Sequence, residues 1–308
     1  MIRFAFTRLL RALITILAVV TFAFVVLRMS GDPAQVMLGP DVPQDAVDAF
    51  RAAWGLDQPL WIQYLAYIKS IFTGDFGVSM RDKESALRLV LERIPATLQL
   101  TIPALLLKLL IGLPAGVYAA LHRQSAIDRS VILLAILGFT IPSFVMGLLL
   151  VLIFSVILGI LPSGGQDTWL HGLLPTITMS IGGIGILARF SRSAMIEVMG
   201  QPYIRTASAK GVKWSDVVWN HALPNAAVPI VTIVGFMVGS LIAGAVVVES
   251  IFSWPGIGRL LVVSVSNRDL AVVQCILLMI AATMVLSNLV VDLFYGWLDP
   301  RLRGQTAH

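Results

Sequence analysis

Charge is what this sequence has least of. Asp, Glu, Lys and Arg make up 13% of its 308 residues, against roughly 25% in an ordinary soluble domain. Cysteine occurs once, at Cys275, so no intrachain disulfide forms, and a lone thiol in an apolar run packs as a small hydrophobe. The four histidines, His122, His171, His221 and His308, stand far apart and have no metal-ligand spacing. The sequence contains no GxxxxGK[ST] phosphate loop, no HExxH and no GxSxG. It carries no visible machinery for catalysis, and no site of its own for ATP or magnesium.

What is abundant is apolar: 57% of the residues are hydrophobic and the mean hydropathy is +0.88. Five runs hold no charged residue, at 12–27, 130–166, 171–188, 217–248 and 270–291, and a sixth, 94–121, is interrupted only by Lys108. About 20 apolar residues cross a bilayer, so the sequence predicts an all-α integral membrane protein with six transmembrane helices. The first run, ALITILAVVTFAFVVL after MIRFAFTRLLR, is longer than a signal-peptide core, and no small-x-small cleavage site follows it. It reads as a retained span.

Orientation follows from Lys and Arg in the short connections. Arg3, Arg8, Arg11, Arg123, Arg129, Arg189, Arg192, Arg205, Lys210 and Lys213 fall on one side, which predicts both termini in the cytoplasm. Most basic residues of the other side lie in one long segment, 29–93, where nine acids accompany them. The net charge of +5 is spread over span ends, as anchoring at an anionic inner leaflet produces. It forms no patch for nucleic acid. The chain thus divides into an N-terminal cytoplasmic segment with the first span (1–28), an extracytoplasmic helical segment (29–93) and a transmembrane domain (94–308).

The outer segment reads as short helices. VPQDAVDAFRAAWG closes on Gly55 as a cap. WIQYLAYIKSIF gathers Trp61, Leu65, Ile68 and Phe72 on one apolar face. DKESALRLVLERIP gathers Leu87, Val90, Leu91 and Ile94 and ends before Pro95. Within the spans, Gly112 with Gly116, Gly235 with Gly239, and Ser240 with Gly244 stand four apart, the spacing that lets helices pack closely in lipid. Pro114, Pro142, Pro175 and Pro229 are expected to bend their helices. Three ionisable residues lie in or near spans: Lys108, Glu249 and Asp292. An intramembrane charge is costly and therefore a functional candidate. Lys108 either snorkels to an interface, pairs with a carboxylate of another span, or lines a translocation path; Lys108 and Glu249 are the path or gate candidates. Asp292 is expected to pair with Arg301 or Arg303.

One basic, small-residue stretch interrupts the apolar pattern between the fourth and fifth spans: YIRTASAKGVKWSDVVWNHALPN, 203–225. Pro202 suits a first helical turn. Ile204, Ala207, Ser208 and Gly211 fall along one nearly flat side, with Lys210 at the C-terminal end of the dipole and Gly211 as a left-handed cap. Ser215 then reads as the N-cap of WSDVVWNHA, with Trp214, Val217 and Val218 as its apolar patch. Leu223-Pro224 ends that second helix at the mouth of the fifth span. The result is a helix-turn-helix elbow suited to a groove on another protein.

The spacing R-T-A at Arg205, Thr206 and Ala207, three residues, Gly211, nine residues, then H-A-L-P from His221 to Leu223 and Pro224 resembles the EAA loop of ATP-binding-cassette importer permeases. Glu is replaced by Arg205, the first Ala by Thr206 and the Ile by His221. GDP at 31–33, WGLDQPLWIQY at 54–64, GDFGVS at 74–79, RIPATLQL at 93–100, VESIFSWPGIGRL at 248–260 and LDPRLR at 298–303 are similar to the B-type permease of the peptide/nickel branch. The resemblance implies the type I importer permease fold in a bacterial inner membrane, with an EAA coupling loop at 197–224. It also implies partners: a C-type permease subunit as heterodimer mate, two cytoplasmic ATPase domains that bind ATP and magnesium, and an extracytoplasmic substrate-binding protein. Arg205, Thr206, Ala207, Lys210, Gly211, His221, Leu223 and Pro224 would be the coupling residues and a short peptide the substrate. A nickel chelate, haem or glutathione in the same permease role, or a stand-alone secondary transporter or channel, are the alternatives. A secondary transporter would be expected to carry carboxylates or histidines for its coupling ion within the spans.

Overall fold

The computed structural model describes residues 2–29, 31–39 and 41–298, and the side chains of all of these except 2–9, 12 and 291–298. The LDPRLR motif beyond Leu298, with Arg301 and Arg303, lies outside the described residues, as does the side chain of Asp292. In chain order the helices are α1 (Ile2–Met29), α2 (Pro33–Leu38), α3 (Gln44–Ala53), α4 (Leu60–Thr73), α5 (Ala86–Leu121), α6 (Ala126–Thr140) and α7 (Ser143–Ile157). They continue with α8 (Trp169–Met199), α9 (Pro202–Ala209), α10 (Trp214–Gly239), α11 (Val246–Ile251), α12 (Ile257–Ser266) and α13 (Leu270–Leu298). Among the described residues there is no strand, only an isolated bridge between Val78 and Ser85.

Four helices are long and apolar enough to cross a bilayer: α5, α8, α10 and α13. The bent pair α6 and α7 makes a fifth, and Leu13–Met29 of α1 is a shorter apolar stretch. Their outer surfaces match that environment. Leu134, Val156 and Ile157 are each more than 65% exposed, and so much bare apolar surface in water would drive association.

The third apolar run, expected as one span, is two helices meeting at 98°. Pro142 is the reason. A residue before proline is pushed out of helical geometry, and Ile141 accordingly sits extended at φ −75°, ψ 120°. Other prolines behave differently. Pro95, expected to end a helix, lies inside the 36-residue α5, which is about 54 Å long at 1.5 Å per residue and so extends beyond the hydrocarbon layer. Pro114 and Pro224 each follow a widened turn, Lys108–Gly112 and Val217–Ala222 respectively. In the second, the Leu223 N–H reaches Val218 O, five residues back. The wide turn carries the helix past a residue that donates no hydrogen bond.

The chain packs as two units, Leu98–Trp254 with 286–298, and Ile2–Thr97 with Pro255–Val285. In the first, α8 is the hub. At Gly116 of α5 a Cβ would run into the Ala188 carbonyl and lie 2.8 Å from Ser191 Cβ, so this crossing tolerates hydrogen alone. Asp128, 4% exposed, begins α6 behind an N-cap bond from its own N–H to Ser125 Oγ (3.2 Å). It takes two bonds from Arg192 of α8, Nε at 2.5 Å and Nη2 at 2.8 Å. This fork-to-carboxylate pair is the strong form of an ion pair, and it pins the α5–α6 turn to α8.

In the second unit, α4 packs on α1 through Val20, Phe24 and Tyr67, with Tyr64, Ile68 and Ile71 beside them. The apolar face of α4 read from the sequence divides: Ile68 packs beside this cluster, whereas Trp61, Leu65 and Phe72 are exposed, Phe72 by 83%. In a membrane protein the polar-handled aromatics are the ones that profit from an interior partner. Tyr64 Oη and Thr21 Oγ1 share a hydrogen bond of 2.7 Å. Burial pushes the Tyr67 hydroxyl pKa upward. Asp269 is buried and its carboxylate accepts from Ser79 Oγ and from the Met80 N–H at 3.3 Å. That single side chain holds the 79–80 loop across 190 residues of sequence.

Candidate functional site

The elbow forms as the spacing predicts at its first helix. Pro202 opens α9, and Gly211 after it sits at φ +79°, a conformation that costs any residue with a Cβ. The Val212 N–H bonds Ala207 O at 3.3 Å and the Gly211 N–H bonds Ser208 O at 3.0 Å. These are the two bonds of a Schellman motif. Of the small-residue side of α9, Ile204 is buried and Ala207 half-buried, whereas Ser208 and Gly211 are exposed, so only its Ile204–Ala207 part faces inward. It joins Val217, Val218, Ala222, Met195, Leu187 and Ala120 in one apolar cluster.

The second helix differs from expectation in three ways. Its N-cap is Lys213, without a side-chain bond, while Ser215 Oγ points to Asp216. A Lys backbone at φ −58°, ψ 140° already makes the turn, so the Ser hydroxyl has no cap to serve. The helix does not stop at Leu223-Pro224 but runs to Gly239, because the widened turn accommodates the proline. And the apolar patch is split: Val217 and Val218 turn into the core, whereas Trp214 is 55% and Trp219 71% exposed. Arg205, Thr206, Lys210, Gly211, His221 and Pro224 are exposed with them, and Leu223 is half-buried. Arg205, Lys210 and Lys213 have no acidic partner among the described residues. The elbow is therefore buttressed on one side by the inner core and presents exposed cations and aromatic rings on the other. Exposed Trp, Tyr and Arg are the residue types that anchor protein interfaces.

The two path candidates separate. Lys108 lines a cavity of about 280 Å³ with Pro142, Ser143, Thr178, Gly182 and Ser240. Glu249, in α11, is fully buried and does not line it. A second cavity, of about 240 Å³, lies in the other unit and is lined by Arg81, Arg93, Arg259, Asp82 and Asp269. Sequence reading missed Asp269 because nothing in its neighbourhood marks it; it follows an unremarkable Asn-Arg pair at the edge of an apolar run.

Comparison with known proteins decides the family. Residues 112–304 match the family described as binding-protein-dependent transport system inner membrane component, and residues 1–101 match its N-terminal companion. The chain belongs to that family. It is 41% identical over 305 residues to the glutathione transport system permease protein GsiC of Salmonella paratyphi A, covering 98% of this chain and 99% of that one. With GsiC of Escherichia coli K12 it shares 39% over 304 residues, with the same coverage. Among solved structures, the methionine ABC transporter MetNI in an inward-facing conformation overlays with a TM-score of 0.58 at 19% identity. That overlay covers 68% of this chain and 96% of the other, and it establishes the type I importer permease fold. This family member is thus the membrane permease component of an ABC importer.

Proposed function

We propose that this permease is one half of an ATP-driven importer for short peptides, and that its elbow couples the membrane helices to partner ATPase domains. The observation that carries the coupling is the elbow itself: a rigidly capped turn, seated on the inner core, with Arg205, Lys210, Lys213, Trp214 and Trp219 on the outside. In this reading α1 supplies the sixth span and both termini are cytoplasmic. A C-type permease completes the pathway. Closure of two ATPase domains around ATP and magnesium draws the elbows together and reopens the path outward, where a binding protein has delivered ligand. Glutathione, a γ-linked tripeptide, falls within the ligand class, and the glutathione permeases at about 40% identity favour it. A chain tagged at its C-terminus and purified in mild detergent is expected to bring ATPase subunits with it, and to lose them when Trp214 and Trp219 are both replaced by Ser. Retention of ATPase by that double variant would move the coupling surface elsewhere. Purification of the chain alone would favour a secondary transporter.

A further inference from the structure

Lys108 is a cation within a membrane helix, and among the described residues no acid or hydrogen-bond acceptor answers it. An uncompensated charge at that depth is retained for a reason outside the resting packing. Its position is also built. Gly183 of α8 leaves a gap for the lysine stem, since a Cβ there would lie 2.6 Å from both Lys108 Cδ and Lys108 Cε. The stem lies against that glycine, and the side chain reaches the cavity at the α6–α7 break. Snorkelling along lipid would need no such gap.

The rest of the cavity wall complements the lysine. No Asp or Glu lines it. The break at Pro142 makes Ser143 the first residue of α7, and both residues are on the wall. Pro142 offers no side-chain cap, so the first N–H groups of α7 have no carbonyl within their own helix, and the helix end is electropositive. Two hydroxyls of the wall already spend their hydrogens: Thr178 Oγ1 donates to Leu174 O at 2.7 Å and Ser240 Oγ to Met237 O at 3.1 Å. They are left as acceptors, suited to an ammonium or amide N–H. The volume of about 280 Å³ lies just below the range of small-ligand pockets, roughly 300–1,000 Å³, which is room for one end of a short peptide.

We propose that this cavity is a carboxylate-recognition site, in which Lys108 holds a carboxylate of the ligand during passage while the hydroxyl oxygens take its N–H groups. The inference rests on the permease reading and names the ligand chemistry of its path.

Two measurements on the assembled importer test it. In the first, Ser143→Cys provides a thiol in the cavity wall, and the anionic sulfonatoethyl and cationic trimethylammonioethyl methanethiosulfonates compete for it. The anion-to-cation rate ratio is expected to fall about tenfold when Lys108→Met is added and to return with Lys108→Arg. In the second, uptake of radiolabelled glutathione and of its diester is compared. Lys108→Met should lower uptake of the acid at least tenfold while narrowing the acid-over-ester preference, at unchanged membrane abundance. Lys108→Arg should keep uptake within about threefold. A reagent ratio that Lys108→Met leaves unmoved overturns the site whatever the ligand is. Acid uptake by Lys108→Met within threefold of the parent chain overturns its role in passage. A parent chain that takes up neither glutathione nor dialanine, with the reagent ratio behaving as expected, refutes the short-peptide reading instead.

Discussion

Gly211 offers the sharpest perturbation of the elbow, because its backbone and its surroundings make separable demands. Its φ of +79° lies in the left-handed region, while a Cβ built there meets nothing within 4 Å. Bulk is therefore free and conformation is not. An ordinary L-residue in that region costs roughly 1–2 kcal/mol. Asn tolerates it, and a β-branched residue is a true outlier, at the upper end of the about 1–3 kcal/mol stored by strained backbone. A cost of one or two kcal/mol lowers the population of the capped turn by a factor of about 5–30. The expected order of ligand-stimulated ATPase activity and uptake is thus Gly, then Asn close behind, then Ala, with Val worst, all at equal membrane abundance. If occupancy of a partner groove by the side chain governed the site, size would set the order and Ala would outperform Asn. That result, or a fully active Val variant, would refute the capping argument.

Other elements make their own demands. Asp128→Ala leaves the Arg192 guanidinium, 23% exposed, without its carboxylate; breaking a buried pair costs about 3–5 kcal/mol, the low end being expected here, read as a fall of the detergent-solubilised unfolding midpoint. The Arg192→Met, Asp128→Leu double variant should recover most of that loss, and no recovery would assign the fall to something other than an orphaned charge. Gly116→Val forces the α5–α8 crossing apart where a Cβ already meets the Ala188 carbonyl; overpacking costs about 1–3 kcal/mol, so it should lower the midpoint more than Gly244→Val, whose Cβ meets nothing within 4 Å. Asp269→Ala strands the Ser79 hydroxyl and the Met80 N–H, at about 1–3 kcal/mol for buried polar groups left unmet. It should open the 79–80 loop to proteolysis while leaving the 203–211 turn protected, and equal cleavage at both would refute the assignment.

The helical, membrane-embedded class was legible because it rests on charge-free length, which no packing detail overrides. The elbow's first helix was legible for a related reason: Pro202 and Gly211 fix local backbone, and the backbone obeyed them. Two of the errors share one cause, reading a proline as a stop sign. Pro95 and Pro224 are absorbed into continuous helices, the latter by a widened turn, whereas Pro142 breaks its run by 98°. Which outcome a proline takes depends on whether neighbours satisfy the freed carbonyl, and that is tertiary information. The direction of the Trp61, Leu65 and Phe72 face was likewise open in the sequence. In lipid an apolar face need not point inward, so periodicity finds the face without telling which way it looks. Lys108 was visible as an anomaly, but the Gly183 gap and the cavity beside it join segments that no spacing rule connects.

The central claim is that this chain has no motor of its own and takes its driving force through the elbow from ATP hydrolysed elsewhere. Glutathione uptake into inside-out-free, right-side-out vesicles, with internal ATP varied and the proton gradient collapsed by an ionophore, tests it most directly. The account predicts uptake that needs ATP, survives the ionophore and disappears with Gly211→Val. Uptake that ignores ATP and collapses with the ionophore would contradict it.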